Sequence, residues 1–233
     1  MSAFDIGILA GSGPEAGMDL WQAVLDERRH RLGAAFRGDL DAPSVLVRSD
    51  PRLGLSMDLA RHGEVVAAVT AEHAAPLDRE CHAWAIACNT INRFAGLVRT
   101  AGRGTALVSY PEAVDRWLHA HPDDTFVVLG ARPVASLGDD SAYAHLRERA
   151  VPLSADDIDG LHQLIEDVKR LGPVPELRLR FDRVCRSIEV DHLLLACTEL
   201  PLLRGADRRL VDVTRLVAGA LLDAIEPSVP PIG

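Results

Sequence analysis

Two of the four cysteines in this chain stand in the same local setting, and that setting suits proton transfer at carbon. One ends the apolar run Ala85-Ile-Ala-Cys88 and is followed by Asn89 and Thr90. The other ends Leu193-Leu-Leu-Ala-Cys197 and is followed by Thr198 and Glu199. A free thiol titrates near ~8.5 and neighbours can bring it lower, so a cysteine can act as base or as acid near neutral pH. Inverting a carbon centre needs one such group on each face, the first taking a proton and the second returning one to the opposite side. Asn89, Thr90 and Thr198 would supply amide, hydroxyl and backbone donors to a carboxylate whose charge grows in an enolate-like transition state. Glu199 could hold or relay a proton beside Cys197. A lone strand-end cysteine is more often a small buried hydrophobe. Two in matching settings favour chemistry, whereas Cys81 and Cys185 lack that setting and read as structural.

Other chemistry-bearing patterns are weaker. No cysteine pair has C-x-x-C spacing and no histidine completes a zinc set, so no metal is expected. The loop Gly11-Ser-Gly-Pro-Glu-Ala-Gly17 matches the dinucleotide pattern G-x-G-x-x-G/A through Gly11, Gly13 and Ala16. Asp50 is its candidate ribose-binding acid, but it lies 33 residues beyond Gly17, where about 20 is expected. The same loop could instead offer backbone N–H groups and the Ser12 hydroxyl to a substrate carboxylate.

The elements that must position these residues alternate short apolar runs with longer amphipathic stretches, the pattern of β-α repetition around parallel sheets. Expected strands are Asp5–Leu9, Ser44–Arg48, Trp84–Ala87 and Ala106–Ser109, then Phe126–Leu129, Ala150–Leu153, His192–Ala196 and Leu210–Val213. Expected helices run from about Pro14 to His30, then over Glu64–Arg79, Glu112–Ala120, Ala155–Leu171, Leu177–Ile188 and Thr214–Ile225, with Pro76 kinking or ending the second. Pro-rich breaks fall at His121-Pro-Asp-Asp and Gly172-Pro-Val-Pro, and a short Pro-rich tail covers residues 227–231. The first break is the better boundary, giving one α/β subdomain over 1–115, completed by 208–233, and a second over 116–207. In open parallel sheets ligands bind outside the carboxyl ends of the strands, so two halves facing each other would put both thiols on one cleft.

Composition removes several function classes. The chain has 233 residues, 48% hydrophobic and 25% charged, with 25 Lys plus Arg against 34 Asp plus Glu for a net charge of −9. An acidic chain without clustered cations is a poor match for nucleic acid, and it lacks the basic amphipathic face suited to an anionic membrane. No apolar run approaches the ~18 residues of a membrane span. The start of the chain lacks a basic stretch followed by a long apolar run. A cytoplasmic location with reduced thiols is therefore expected.

At Ile6-Gly-Ile-Leu-Ala-Gly-Ser-Gly-Pro14, Cys88-Asn-Thr90 and Cys197-Thr-Glu199 the chain resembles the aspartate/glutamate racemase superfamily, most closely its aspartate racemase branch. The resemblance runs through most of the chain. It implies an α/β fold of two pseudo-symmetric subdomains, each a mainly parallel sheet flanked by helices, with the active site between them. It also implies a homodimer and catalysis without pyridoxal phosphate or any other cofactor. Cys88 and Cys197 become the acid/base pair. Asn89, Thr90 and Thr198 become ligands of the amino-acid backbone groups, with Ser12 and Glu199 near substrate. Lys169 matches a lysine that contacts a side-chain carboxylate, although a solvated helix-end lysine would look the same.

The chain departs from that pattern in three places. Its segment Asp50-Pro-Arg-Leu-Gly-Leu-Ser56 has Ser56 at the usual arginine position, leaving Arg52 as the nearby replacement. The loop Ala131-Arg-Pro-Val134 lacks the usual threonine hydroxyls, leaving Arg132 as a possible carboxylate partner. Asn92 stands where a histidine is frequent. These changes leave the thiol pair intact and alter recognition. The resulting expectation is a cofactor-independent amino-acid racemase or epimerase acting on a small carboxylate-bearing substrate, with aspartate or glutamate as default. The alternatives are a thiol-dependent decarboxylase or isomerase of another carboxylate substrate and a non-catalytic ligand-binding relative.

Overall fold

A computed structural model describes residues 3–101 and 107–226. The first strand, β1 (Phe4–Ala10), runs through the Gly11–Gly13 loop into helix α1 (Pro14–Leu32). Then come β2 (Val45–Ser49), α2 (Leu59–Glu80), β3 (Cys81–Ile86), α3 (Ala95–Ala101) and α4 (Tyr110–His119). The second half contains β4 (Phe126–Leu129), the one-turn helix α5 (Arg132–Ala135), α6 (Ala155–Leu171), α7 (Pro175–Ser187), β5 (His192–Leu195), β6 (Leu210–Asp212) and α8 (Val213–Ile225). The strands form two three-stranded sheets in the orders β2-β1-β3 and β4-β5-β6, and every pairing is parallel. The fold is α/β, with two parallel sheets flanked by helices.

Side-chain alternation explains how the sheets are sandwiched, because successive residues of a strand face opposite sides. Ile6 and Ile8 of β1 and Ala83 and Ala85 of β3 enter a core shared with Val128 and Leu194 of the second sheet and with α1, α4 and α8. Leu9, Trp84 and Ile86 point the other way, onto Val66, Val69 and Leu77 of α2. In the second sheet Val127, Leu129, Leu193 and Leu195 pack against Leu161, Ile165 and Val168 of α6 and Phe181 of α7. One continuous apolar layer therefore joins the halves.

The C-terminal segment serves both halves. β6 hydrogen-bonds to β5, while α8 shares its core with β1, β3, α1 and α4. Asp212 links the two elements by capping α8, its Oδ1 accepting from the Thr214 and Arg215 backbone N–H groups.

Two expected strands differ from what forms. Ala150–Leu153 makes no strand: Val151 N–H donates to the Phe126 carbonyl at 2.8 Å, and Pro152 next to it has no N–H with which to extend a ladder. The Ala106–Ser109 strand is reduced, among the described residues, to a parallel bridge between Trp84 and Leu107; Ala106 lies outside them, as does the Pro-rich tail at 227–231. Helix α2 starts five residues earlier than expected, with the Asp58 carboxylate capping Arg61 N–H, and runs through Pro76 to Glu80. Pro76 removes only one intrahelical bond there, and the continuing apolar contacts of Ala74 and Leu77 hold the last turns in place. No helix among the described residues is long and apolar enough to cross a membrane.

Candidate active site

The two cysteine segments leave their sheets in the same way. The Ala87 N–H donates to the Leu9 carbonyl at 2.8 Å, and the Ala196 N–H donates to the Leu129 carbonyl at 2.8 Å. Each cysteine follows immediately, and a 3-10 turn begins three residues further on, at Ile91 and at Leu200. Short runs of Ala, Ile and Leu thus end in matching turns at the carboxyl edges of both sheets. Cys88 and Cys197 are nearly buried, 8% and 9% exposed. Both line one small cleft, whose empty space is about 250 Å³ including its mouth.

Of the residues singled out from sequence, Ser12, Asn89, Thr90, Lys169, Thr198 and Glu199 share that cleft with the two cysteines. Glu199 organises the side of Cys197. Its Oε2 accepts from the Cys197 thiol at 3.0 Å and from the Thr198 hydroxyl at 3.1 Å, while Oε1 pairs with Lys169 Nζ at 3.1 Å. Gly13 lies against this carboxylate: with φ of +84°, a Cβ there would come within 2.5 Å of Glu199 Oε1. Gly13 also caps the N-terminus of α1, whose positive dipole end favours the negative charge beside it. That places a carboxylate where a dinucleotide would need its pyrophosphate, which turns the glycine loop away from the dinucleotide reading.

Electrostatics follow from this burial. The Cys197 thiol is pushed well above the ordinary cysteine range, first by burial and then by the Glu199 charge, with Lys169 pulling the other way. Burial alone would lower Lys169, but the Glu199 carboxylate, joined by the Cys197 and Cys88 sulfurs wherever they ionise, outweighs it and raises the ammonium above its ordinary value. Cys197 is therefore a thiol, and Lys169 a cation, at neutral pH. Cys81 and Cys185 lie outside the cleft, and burial pushes them up to about 11 and about 12, as inert thiols should be.

On the side of Cys88, Asn89 accepts from the buried Tyr143 hydroxyl through Oδ1 at 2.5 Å. Its Nδ2, also buried, has no partner. An unmatched buried donor is costly unless something accepts from it, and Asn89 is a cleft residue. Asn92 braces the turn behind: its Nδ2 donates to the carbonyls of Ile86 and Cys88 at 3.1 and 2.8 Å, and its Oδ1 accepts from Tyr110 N–H at 3.0 Å. Ser12 shares a 2.8 Å hydrogen bond with Ser56, which is fully buried. This ties the glycine loop to the 51–58 segment.

Two expected ligands lie elsewhere. Arg52 is half exposed and outside the lining; it grips Asp50 through Nε and Nη2 and reaches Glu72 at 3.0 Å. Asp50 is held far below the usual carboxylate range by Arg52 first and by His73 second. Arg132 points away too, 54% exposed and paired with Asp159 at 2.8 Å, although its neighbour Ala131 is in the lining. Sequence reading missed Met57, Ala131 and Ala196 as lining residues and Ser56 and Tyr143 as supports. Ala131 and Ala196 carried a usable signal, since each sits just past an apolar strand. Among the described residues no group of His, Cys, Asp or Glu could hold a metal ion.

No protein-family profile matches the chain, and no curated protein matches it either. Solved structures do. A candidate Asp/Glu racemase from Yersinia pestis superposes with a TM-score of 0.75 at 18% identity, over 97% of this chain and 99% of that one. Picrophilus torridus aspartate racemase gives 0.74 at 18% identity, over 95% and 94%. Glutamate racemase from Francisella tularensis, solved in complex with D-glutamate, gives 0.59 at 12% identity, over 99% and 86%. At these identities the likeness establishes the fold, and the chain has the aspartate/glutamate racemase fold over nearly its whole length.

Proposed function

We propose that this protein is an amino-acid racemase or epimerase in which Cys88 and Cys197 move protons at the substrate Cα without a cofactor. The observation that carries the reading is the shared cleft: the two cysteines arrive from different sheets, by matching turns, at one space. The likeness to racemases supports it, as does the amino acid bound to the Francisella tularensis protein. Aspartate and glutamate are the default substrates on that likeness. A homodimer and a cytoplasmic location belong to the same reading, as does a division into halves at 1–115 with 208–233 and at 116–207.

One direction of the reaction begins with Cys88 as thiolate and Cys197 as thiol, the form its surroundings favour. Cys88 takes the Cα proton, and the electron pair left behind delocalises into the substrate carboxylate. The unpartnered Asn89 Nδ2, with Thr90 and the loop at Ser12, receives that growing charge. Cys197 then delivers its proton to the opposite face and becomes a thiolate, whose charge the Lys169 ammonium offsets against the repulsion of Glu199. The enzyme ends with its thiol protons exchanged, ready for the opposite hand of substrate. Because each thiol acts once per turnover, Cys88→Ser and Cys197→Ser should each lower racemisation by about 10²-fold or more. Chiral chromatography of product checks this, and near-unchanged turnover in both single variants sinks the two-thiol mechanism.

A further inference from the structure

Charge in the cleft points to a narrower class of substrate, on the footing of the racemase reading above. Lys169 and Glu199 are the only charged side chains among the described lining residues, and they neutralise each other at 3.1 Å. Arginines close in sequence to the lining are committed elsewhere: Arg132 to Asp159, Arg170 to Asp167, Arg93 to Asp140, and Arg52 to Asp50 and Glu72. Neutral donors are scarce as well. The Ser12 hydroxyl is bonded to Ser56 and the Thr198 hydroxyl to Glu199, which leaves the buried, unpartnered Asn89 Nδ2 and the Thr90 hydroxyl beside it, enough for one carboxylate. The remaining lining adds apolar surface from Met57, Ala131 and Ala196.

Such a cleft can satisfy one carboxylate and has no free cation for a second. Once a thiol ionises for proton transfer, the lining carries a net negative charge. A zwitterion with an uncharged side chain then enters without like-charge repulsion, whereas a dicarboxylate brings an extra negative charge into a poorly solvated space. We propose that the substrate is an α-amino acid with a single carboxylate and a small uncharged side chain, which lies against Met57, Ala131 and Ala196. This goes against the aspartate-or-glutamate default, and the scarcity of free polar partners is what separates the two.

The test incubates the full chain in D₂O with alanine, serine, aspartate and glutamate separately, reading Cα deuterium by mass and configuration by chiral chromatography. Alanine or serine should exchange with a kcat/KM at least about tenfold above aspartate and glutamate. Faster exchange of aspartate or glutamate overturns the substrate class while leaving the racemase reading in place. No Cα exchange with any of the four overturns the racemase reading and the substrate class with it. A second arm uses Met57→Lys, which adds an uncompensated cation at a half-buried lining position. The aspartate-to-alanine ratio should rise about tenfold, and an unmoved ratio in a folded variant overturns the placement of the side chain. Should that variant fail to fold, the panel on the unaltered chain decides.

Discussion

Cys197 is under two opposed influences that reach it through one neighbour. Burial and the Glu199 carboxylate push its thiol up, and Lys169, itself paired with Glu199, pulls it down. Glu199→Gln keeps the shape of the side chain and removes the charge, so the upward push from Glu199 goes and Lys169 loses its counter-charge. Cys197 should then titrate lower and be alkylated faster by iodoacetamide at mildly alkaline pH, as followed by peptide mass spectrometry. Alkylation no faster than in the unaltered protein would mean that the carboxylate does not govern the thiol. Thr198 and Glu199 were legible as partners of Cys197 because they adjoin it in the chain. Ser56 and Tyr143 were not legible as supports. They meet Ser12 and Asn89 across 44 and 54 residues, and a hydrogen bond over such a span leaves no periodic trace in sequence. Arg52 and Arg132 illustrate the converse: both look like free cations in sequence, yet each has a nearby carboxylate that claims it first.

Glycines show how an element's ends and its middle answer differently to the same substitution. Gly13, at φ +84° against Glu199 Oε1, has room for neither a Cβ nor an L-residue's usual backbone. Gly160 lies within α6, and a Cβ there would meet nothing within 4 Å. Gly13→Ala should therefore destabilise by about 1–2 kcal/mol and reduce activity by displacing Glu199. Gly160→Ala should stabilise by about 0.5–1 kcal/mol and leave turnover unchanged. Urea unfolding midpoints measure both, and equal shifts of one sign would refute the distinction. At this scale the sequence was most readable where apolar period and capping agree: α6 runs over Ala155–Leu171 as expected, with Ser154 accepting from Asp157 N–H at its start. It was least readable at sheet edges. Val151 and Leu107 each approach a strand, but a ladder depends on how many neighbouring N–H groups find acceptors, and that is a property of the paired backbone.

Across the whole molecule, buried thiols tie stability to alkaline pH. Each is neutral when protonated, and burial raises it in the folded state to about 11 for Cys81, about 12 for Cys185 and well above the ordinary value for Cys197. The unfolded chain releases these protons near ~8.5, so above that pH the folded state binds more protons than the unfolded state. Their contribution is fully present below ~8.5 and is lost as pH rises through the folded values. The thermal midpoint should hold level at about pH 7–8 and fall steadily by about pH 10.5. A midpoint as high at about pH 10.5 as at about pH 7.5 would contradict the linkage.

Sequence by itself determined the α/β class, the two apolar strands that end in Cys88 and Cys197, and the hydrogen-bonding residues directly after them. Those features are local: side-chain period and turn chemistry are written over a few consecutive residues. Only the tertiary structure decided which distant groups share the cleft. It placed Lys169 on Glu199, set Gly13 against the same carboxylate, turned Arg52 and Arg132 outward, and brought Met57 to the wall. The reason is physical. Every cation is drawn to whichever anion folding brings nearest, and that contest is settled by packing across the two sheets, so the same arginine reads as a ligand in sequence and as a spent charge in space.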